Sequence, residues 1–216
     1  ARDDANVRAI VLTGAGRGFA SGADLAGSGP RTDSGTTLRT LYHPLIMMMR
    51  EMPKPIIAAV NGVAAGAGMS LVMACDIILA GQSASFLQAF SRIGLIPDAG
   101  ATWFLPRLVG DMRARALAIL ADQVSAEEAH RLGLVWKVFA DEQLMAEADK
   151  MATKLSTMPT RAYGMIKQTL NATHANSLPN QLELEALLQT EAGRTEDFVE
   201  GVAAFREKRP AQFKGR

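Results

Sequence analysis

Apolar runs ending in turns of very small residues constrain this chain more than any other feature. Ile56-Ile57-Ala58-Ala59-Val60 follows Pro53 and Pro55 and runs into Asn61-Gly62. Five consecutive apolar residues leave no polar face, so the segment reads as a strand covered on both sides, as in a parallel sheet. Residues 7–13, ending at Gly14, and residues 76–80 have the same character. Helical patterns separate them, over residues 38–52 (closed by Pro53) and 69–74. Strands alternating with helices predict an α/β fold with parallel pairing.

The chain beyond about residue 110 is more charged and plainly helical. Ser125-Ala126-Glu127-Glu128 is a capping box, with Ser125 as N-cap and Glu128 three residues on. Gly133 ends that short helix, and residues 134–139 read as a further strand. Helices are expected over residues 141–156, 160–171, 180–192 and 195–208. The expected organisation is a core over residues 1–140 followed by a helical region over 141–216. Residues 26–37, rich in Gly, Ser, Thr and Pro, read as a loop. The chain starts without Met and passes from a polar stretch straight into a strand, so residues are expected upstream of it.

Composition excludes several classes of function. The 216 residues carry 23 Lys+Arg against 22 Asp+Glu, a net charge of +1, which makes no electrostatic case for nucleic acid or an acidic membrane. No apolar run approaches the ~20 residues of a membrane span. Cys75 is the single cysteine, so no intramolecular disulfide forms. That fits a reducing compartment, and a cytoplasmic location is expected.

His43, His130 and His174 are isolated in sequence, and none pairs with Cys, Asp or Glu at metal-ligand spacing, so no metal is expected. No serine sits in a nucleophile elbow, and no Gly-rich stretch runs into Lys-Ser/Thr. Gly14-Ala15-Gly16-Arg17-Gly18 follows a strand, but Phe19 stands where a dinucleotide fingerprint needs its third glycine.

Residues 62–68 join a strand to a helix through Gly and Ala. Free N–H groups there would sit at the positive end of a helix dipole and suit an oxyanion; tight helix–strand packing explains the same residues. Phe19-Ala20-Ser21-Gly22-Ala23-Asp24 is a second small-residue turn after the first strand. If the two strands are neighbours, one N–H from each turn can converge on a carbonyl oxygen. Asp98 is the carboxylate that stands out, in Ile93-Gly94-Leu95-Ile96-Pro97-Asp98-Ala99-Gly100. Burial among apolar neighbours would raise its pKa toward that of a working proton-transfer group; a helix N-cap is the alternative. Asp24 and Asp76 read as structural, and Met47-Met48-Met49 as core or interface filling.

In this order and spacing the residues resemble the crotonase, or enoyl-CoA hydratase/isomerase, superfamily. The markers are residues 9–14, Phe19-Ala20-Ser21-Gly22-Ala23-Asp24-Leu25, residues 54–62, Ala74-Cys75-Asp76, Gly94-Leu95-Ile96-Pro97, residues 125–135 and Phe205-Arg206-Glu207-Lys208-Arg209. The resemblance covers almost the whole chain. It implies a spiral of ββα units with a C-terminal helical region that makes homotrimers or dimers of trimers. It implies an acyl-CoA thioester as substrate, with coenzyme A part of that substrate and no separate cofactor. The thioester oxygen would be held by the N–H groups of Ala23 and Ala67. Arg17, Ser21, Ala23, Asp24 and Leu25 would contact CoA, and Phe205 and Lys208 would add contacts from a C-terminal helix of the same or a neighbouring chain.

The departures from the family pattern bear on the reaction. The hydratases use two glutamates, and their positions are Ser70 and Phe90 here. Asp98 alone remains, and one carboxylate suffices to move a proton between two carbons. An isomerase is therefore expected, with a hydratase or a non-catalytic acyl-CoA-binding protein as the alternatives. Residues 84–98 and 62–68, with Leu134-Val135-Trp136, are similar to the ring-1,2-epoxyphenylacetyl-CoA isomerase branch, where the aspartate after Ile-Pro is the acid/base. Phe90 and Ser70 would then line an acyl pocket, unless Phe90 is plain core.

Overall fold

The computed structural model of the chain describes residues 1–24 and 33–216. Strand β1 (Ile10–Thr13) is shorter than the apolar run that announces it. Arg8 is committed to other bonds: its Nε donates to the Thr160 hydroxyl at 2.8 Å and Nη1 to the Phe213 carbonyl at 3.1 Å. Residues 25–32, most of the expected loop, lie outside the described residues, and Leu25 is among them. The rest of that loop is helical, a correction to the sequence reading. The Asp33 carboxylate accepts the Thr36 N–H at 3.2 Å and starts α1 (Ser34–Thr37). A π-helical turn, Leu38–Tyr42, leads into α2 (His43–Glu51).

All five residues of β2 (Ile56–Val60) are buried, as a strand without a polar face requires. The following small-residue stretch is not one turn, because β3 (Val63–Ala65) lies within it. Helix α3 (Ala67–Ala74), β4 (Ile77–Gly81) and β5 (Ser85–Leu87) come next, then a 3-10 turn, Ala89–Ile93. Helices α4 (Ala101–Val109) and α5 (Asp111–Leu120), which the sequence reading left unassigned, precede β6 (Val124–Ser125). Ser125 caps α6 (Ala126–Arg131), its hydroxyl accepting the Glu128 N–H at 3.2 Å. Strand β7 (Lys137–Phe139) is followed by α7 (Asp141–Ser156), α8 (Thr160–Ala172), α9 (Leu178–Ala192) and α10 (Glu196–Glu207).

One sheet has the order β1-β2-β4-β7, and β2 pairs in parallel with β4 from Ile57↔Ile77 to Val60↔Ala80. The second has the order β3-β5-β6, with β3 and β5 parallel and β6 antiparallel to β5. The predicted α/β class with parallel pairing is what forms.

The chain divides into two compact units. Residues 11–49 and 56–149 form one; residues 1–10, 50–55 and 150–216 form the other. In the second unit α8 packs on α9, and two buried lysines cap main-chain carbonyls. Lys167 donates to Lys54 at 3.0 Å, and Lys54 donates to Ala1 and Asp4, both at 2.7 Å. The buried Asp197 carboxylate accepts the Lys214 and Gly215 N–H groups at 2.6 and 2.8 Å, tying down the C-terminal tail.

Candidate active site

The two small-residue turns are neighbours, and Asn61 explains much of their approach. Its Oδ1 accepts the Gly14 N–H at 3.0 Å, while Nδ2 donates to the Gly14 and Gly16 carbonyls at 3.1 and 3.0 Å. Phe19 and Ala20 then both donate to the Val63 carbonyl, at 3.1 and 3.0 Å, and Ala65 donates to the Ala20 carbonyl at 2.9 Å. The approach leaves no room for a Cβ. One at Gly62 would stand 2.1 Å from the Arg17 carbonyl oxygen, and one at Gly68 would stand 2.4 Å from the Ala20 carbonyl oxygen. A Cβ on Gly22, whose φ is +100°, would lie 3.7 Å from the Ala67 nitrogen. Ala23 is the next residue in the chain. Ala67 is the first residue of α3, behind Gly66 at φ 53°, where helical geometry provides its N–H with no intrahelical acceptor and the dipole is positive.

Asp98 lies between the 3-10 turn and α4 and does not cap the helix with its side chain. Gly100 is the N-cap, and it is the Asp98 main-chain carbonyl that accepts the Ala101 N–H, at 2.9 Å. Its Oδ1 is buried with no hydrogen-bond partner among the described residues. Burial pushes the carboxyl above its ordinary pKa, and the charge of His43 pulls the other way. His43, isolated in sequence, is brought toward Asp98 as the first residue of α2. The Ser70 hydroxyl donates to the Asp98 carbonyl at 2.9 Å.

Gly66 is the hub of the remaining site residues. Its N–H donates to Leu87 at 2.9 Å, and its carbonyl accepts the Ser70 N–H at 3.1 Å. A Cβ there would stand 3.8 Å from the tip of the Phe90 ring. Ser70 is fully buried and Phe90 nearly so. Ser70, Phe90 and Ala67 are thus gathered at one end of β3, and Ser70 ties Asp98 to them. Arg17, Ser21, Ala23 and Asp24 are all exposed, on the segment after β1. Phe205, 86% exposed, lies on α10, and Lys208 is that helix's left-handed C-cap; both belong to the other compact unit. Asp76 is structural as expected, its Oδ2 accepting the Ile56 N–H at 2.8 Å.

Gln88 is a residue whose position the sequence did not single out. It directly follows β5, is 1% exposed, and both Oε1 and Nε2 lack hydrogen-bond partners among the described residues. Its one signal in the sequence is an amide inside the apolar stretch Phe86-Leu87-Gln88-Ala89-Phe90.

Among the described residues, no group of three or more His, Cys, Asp or Glu is placed to hold a metal ion. No helix among them is long and apolar enough to cross a membrane. Residues 1–216 match the family model described as enoyl-CoA hydratase/isomerase. The chain is 49% identical to the 1,2-epoxyphenylacetyl-CoA isomerase of Escherichia coli K12, over all of this chain and 84% of that one. It is 50% identical to a probable enoyl-CoA hydratase of Rhodobacter capsulatus, over 97% of this chain and 82% of the relative. The structure of an enoyl-CoA hydratase from Bacillus anthracis superimposes with a TM-score of 0.93 at 34% identity, covering 100% of this chain and 84% of that one. With a matching model along its length, close relatives and a shared crotonase-type fold, the chain belongs to the enoyl-CoA hydratase/isomerase family.

Proposed function

We propose that the chain is an acyl-CoA isomerase in which Asp98 carries a proton between two carbons of the acyl group. The Asp98 carboxylate takes a proton from the carbon next to the thioester, and the electron pair moves onto the thioester oxygen as an enolate. The Ala23 and Ala67 N–H groups hold that oxygen, and Asp98 returns the proton two carbons further along. The double bond moves into conjugation with the thioester, and no atom is gained or lost. The observation that carries this reading is the Asp98 Oδ1, buried and without a partner among the described residues, while Ser70 and Phe90 supply no second carboxylate. Hydration needs a water activated and a proton delivered in concert, which paired carboxylates do well.

In the same reading Arg17, Ser21, Ala23 and Asp24 contact CoA, Phe205 and Lys208 of the same or a neighbouring chain add contacts, and Phe90 and Ser70 line the acyl pocket. Ring-epoxide acyl-CoA thioesters are included as substrates on the strength of the Escherichia coli relative. Exposed Ile166, Leu170 and Leu182 on α8 and α9 support a homo-oligomer, a trimer or dimer of trimers. A cytoplasmic location belongs to the same proposal. The name of the Rhodobacter capsulatus relative favours a second reading, enoyl-CoA hydration.

Purified protein assayed with a 3-enoyl-CoA, following absorbance of the conjugated thioester, separates the two when crotonyl-CoA hydration is run beside it. Isomerisation without hydration is expected. Hydration at a comparable rate would overturn the single-carboxylate reading.

A further inference from the structure

Residues 14, 16 and 18 are glycine, and glycine loses more conformational freedom on ordering than any other residue. The stretch is nevertheless tightly folded. A Cβ on Gly14 would stand 2.1 Å from the Gly18 carbonyl oxygen and 2.4 Å from the Phe19 Cα. Asn61 holds it in that shape. Its Oδ1 accepts the Gly14 N–H at 3.0 Å, and Nδ2 meets the Gly14, Gly16 and Gly18 carbonyls at 3.1, 3.0 and 3.4 Å. The amide has two N–H hydrogens, so these three carbonyls share two donors. Asn61 is itself firmly seated. It directly follows β2, all of whose residues are buried, and the Thr13 hydroxyl donates to the carbonyl of Ala59 in that strand at 2.8 Å. Gly62 lets the loop lie on this platform, since a Cβ there would stand 2.1 Å from the Arg17 carbonyl oxygen. One side chain thus fixes the backbone on both sides of Arg17. Arg17 is exposed and is the only basic residue from Gly14 to Asp24.

We propose that Asn61 is a positioning residue for coenzyme A, holding residues 14–18 in the conformation that presents the Arg17 guanidinium to the anionic phosphates of that carrier. A guanidinium on loose backbone has to be ordered when it binds, and a loop fixed beforehand avoids that cost. The inference deepens the proposed function and rests on it for the contact between Arg17 and CoA.

Calorimetry with free coenzyme A reads binding apart from turnover. Wild type, Arg17→Ala, Asn61→Ala and the double variant are compared at low and high ionic strength. Each single variant is expected to raise the Kd roughly tenfold at low salt. The double variant is expected to bind no more weakly than Arg17→Ala, because both changes act on one contact. The salt dependence of wild-type binding, the mark of an exposed charge, is expected to shrink alike in all three variants. Asn61→Asp keeps the shape and the acceptor but loses both donors, and it is expected to behave as Asn61→Ala does. Losses that add in the double variant would assign Asn61 to general structure and overturn the proposal. Unchanged binding in Asn61→Ala, or in Arg17→Ala, would overturn it as well. Asn61→Ser carries the same comparison where Asn61→Ala fails to fold. Failure of the isomerase reading shows separately, as absent 3-enoyl-CoA turnover by a wild type that binds coenzyme A.

Discussion

The Ser70 hydroxyl donates a 2.9 Å hydrogen bond to the main-chain carbonyl of Asp98, across 28 residues of chain. Ser70 is fully buried on α3, one turn beyond Ala67, and its own N–H is bonded to Gly66. One rigid element thus carries both the N–H proposed for the thioester oxygen and the clamp on the proposed proton carrier.

Ser70→Ala removes that clamp together with the longer 3.3 Å contact of the same hydroxyl to the Gly66 carbonyl. A neutral hydrogen bond contributes about 1 kcal/mol, so stability is expected to fall by about that amount. If the bond holds Asp98 in its working position, kcat falls about fivefold with KM little changed, the rate equivalent of the same energy. Steady-state kinetics on a 3-enoyl-CoA check this. A raised KM with unchanged kcat would leave Ser70 as a pocket-lining residue only and remove it from the positioning of Asp98.

Asp98 links activity to pH and stability in opposite senses. Burial raises its pKa in the folded chain, whereas the unfolded chain has the ordinary value near ~3.9. The native state holds the proton more tightly, so stability from Asp98 is fully present below the ordinary value and lost as pH rises through the raised one. Asp98→Asn is therefore expected to raise Tm at pH 7 relative to wild type, with the gap closing as pH falls toward 4. The same variant is expected to lose turnover while retaining CoA-thioester binding. The acid limb of the wild-type kcat/KM profile should lie above the usual carboxylate range. Unchanged turnover in Asp98→Asn would remove the aspartate from the mechanism.

Ala67→Pro deletes one proposed oxyanion donor and sets the ring Cδ where its hydrogen pointed. Proline is tolerated at the first position of a helix, where its missing N–H has no intrahelical partner to lose. Ala67 holds that position in α3. A loss of roughly 10²–10³ in kcat is expected, with the circular dichroism spectrum retained. Wild-type kcat in a folded Ala67→Pro protein would show that the oxygen is held elsewhere.

Several elements were legible because local chemistry alone specifies them. The apolar run 56–60 becomes β2, Ser125 caps α6 through its own hydroxyl, and residues 141–156 form one amphipathic helix. The short strands were not. β3 and β5 have three residues each, and small side chains there read as a turn until the parallel partner is known. Helix α1 was hidden in a stretch of Ser, Gly and Thr, since one Asp33 cap outweighs weak propensity. In the candidate site, Asp98 was legible as a carboxylate among apolar residues. His43 and Gln88 were not, because each is ordinary in its own segment.

Residue types along the chain were enough to determine the α/β class, the two small-residue segments and the lone carboxylate after Ile96-Pro97. Backbone conformation and short-range periodicity decide those features, and both are written locally. Tertiary structure decided that Gly22 stands beside Ala67, that Ser70 grips Asp98 and that the Gln88 amide is buried without a partner among the described residues. These relationships depend on desolvation and on approach between segments tens of residues apart. Neither is a property of any one stretch of sequence.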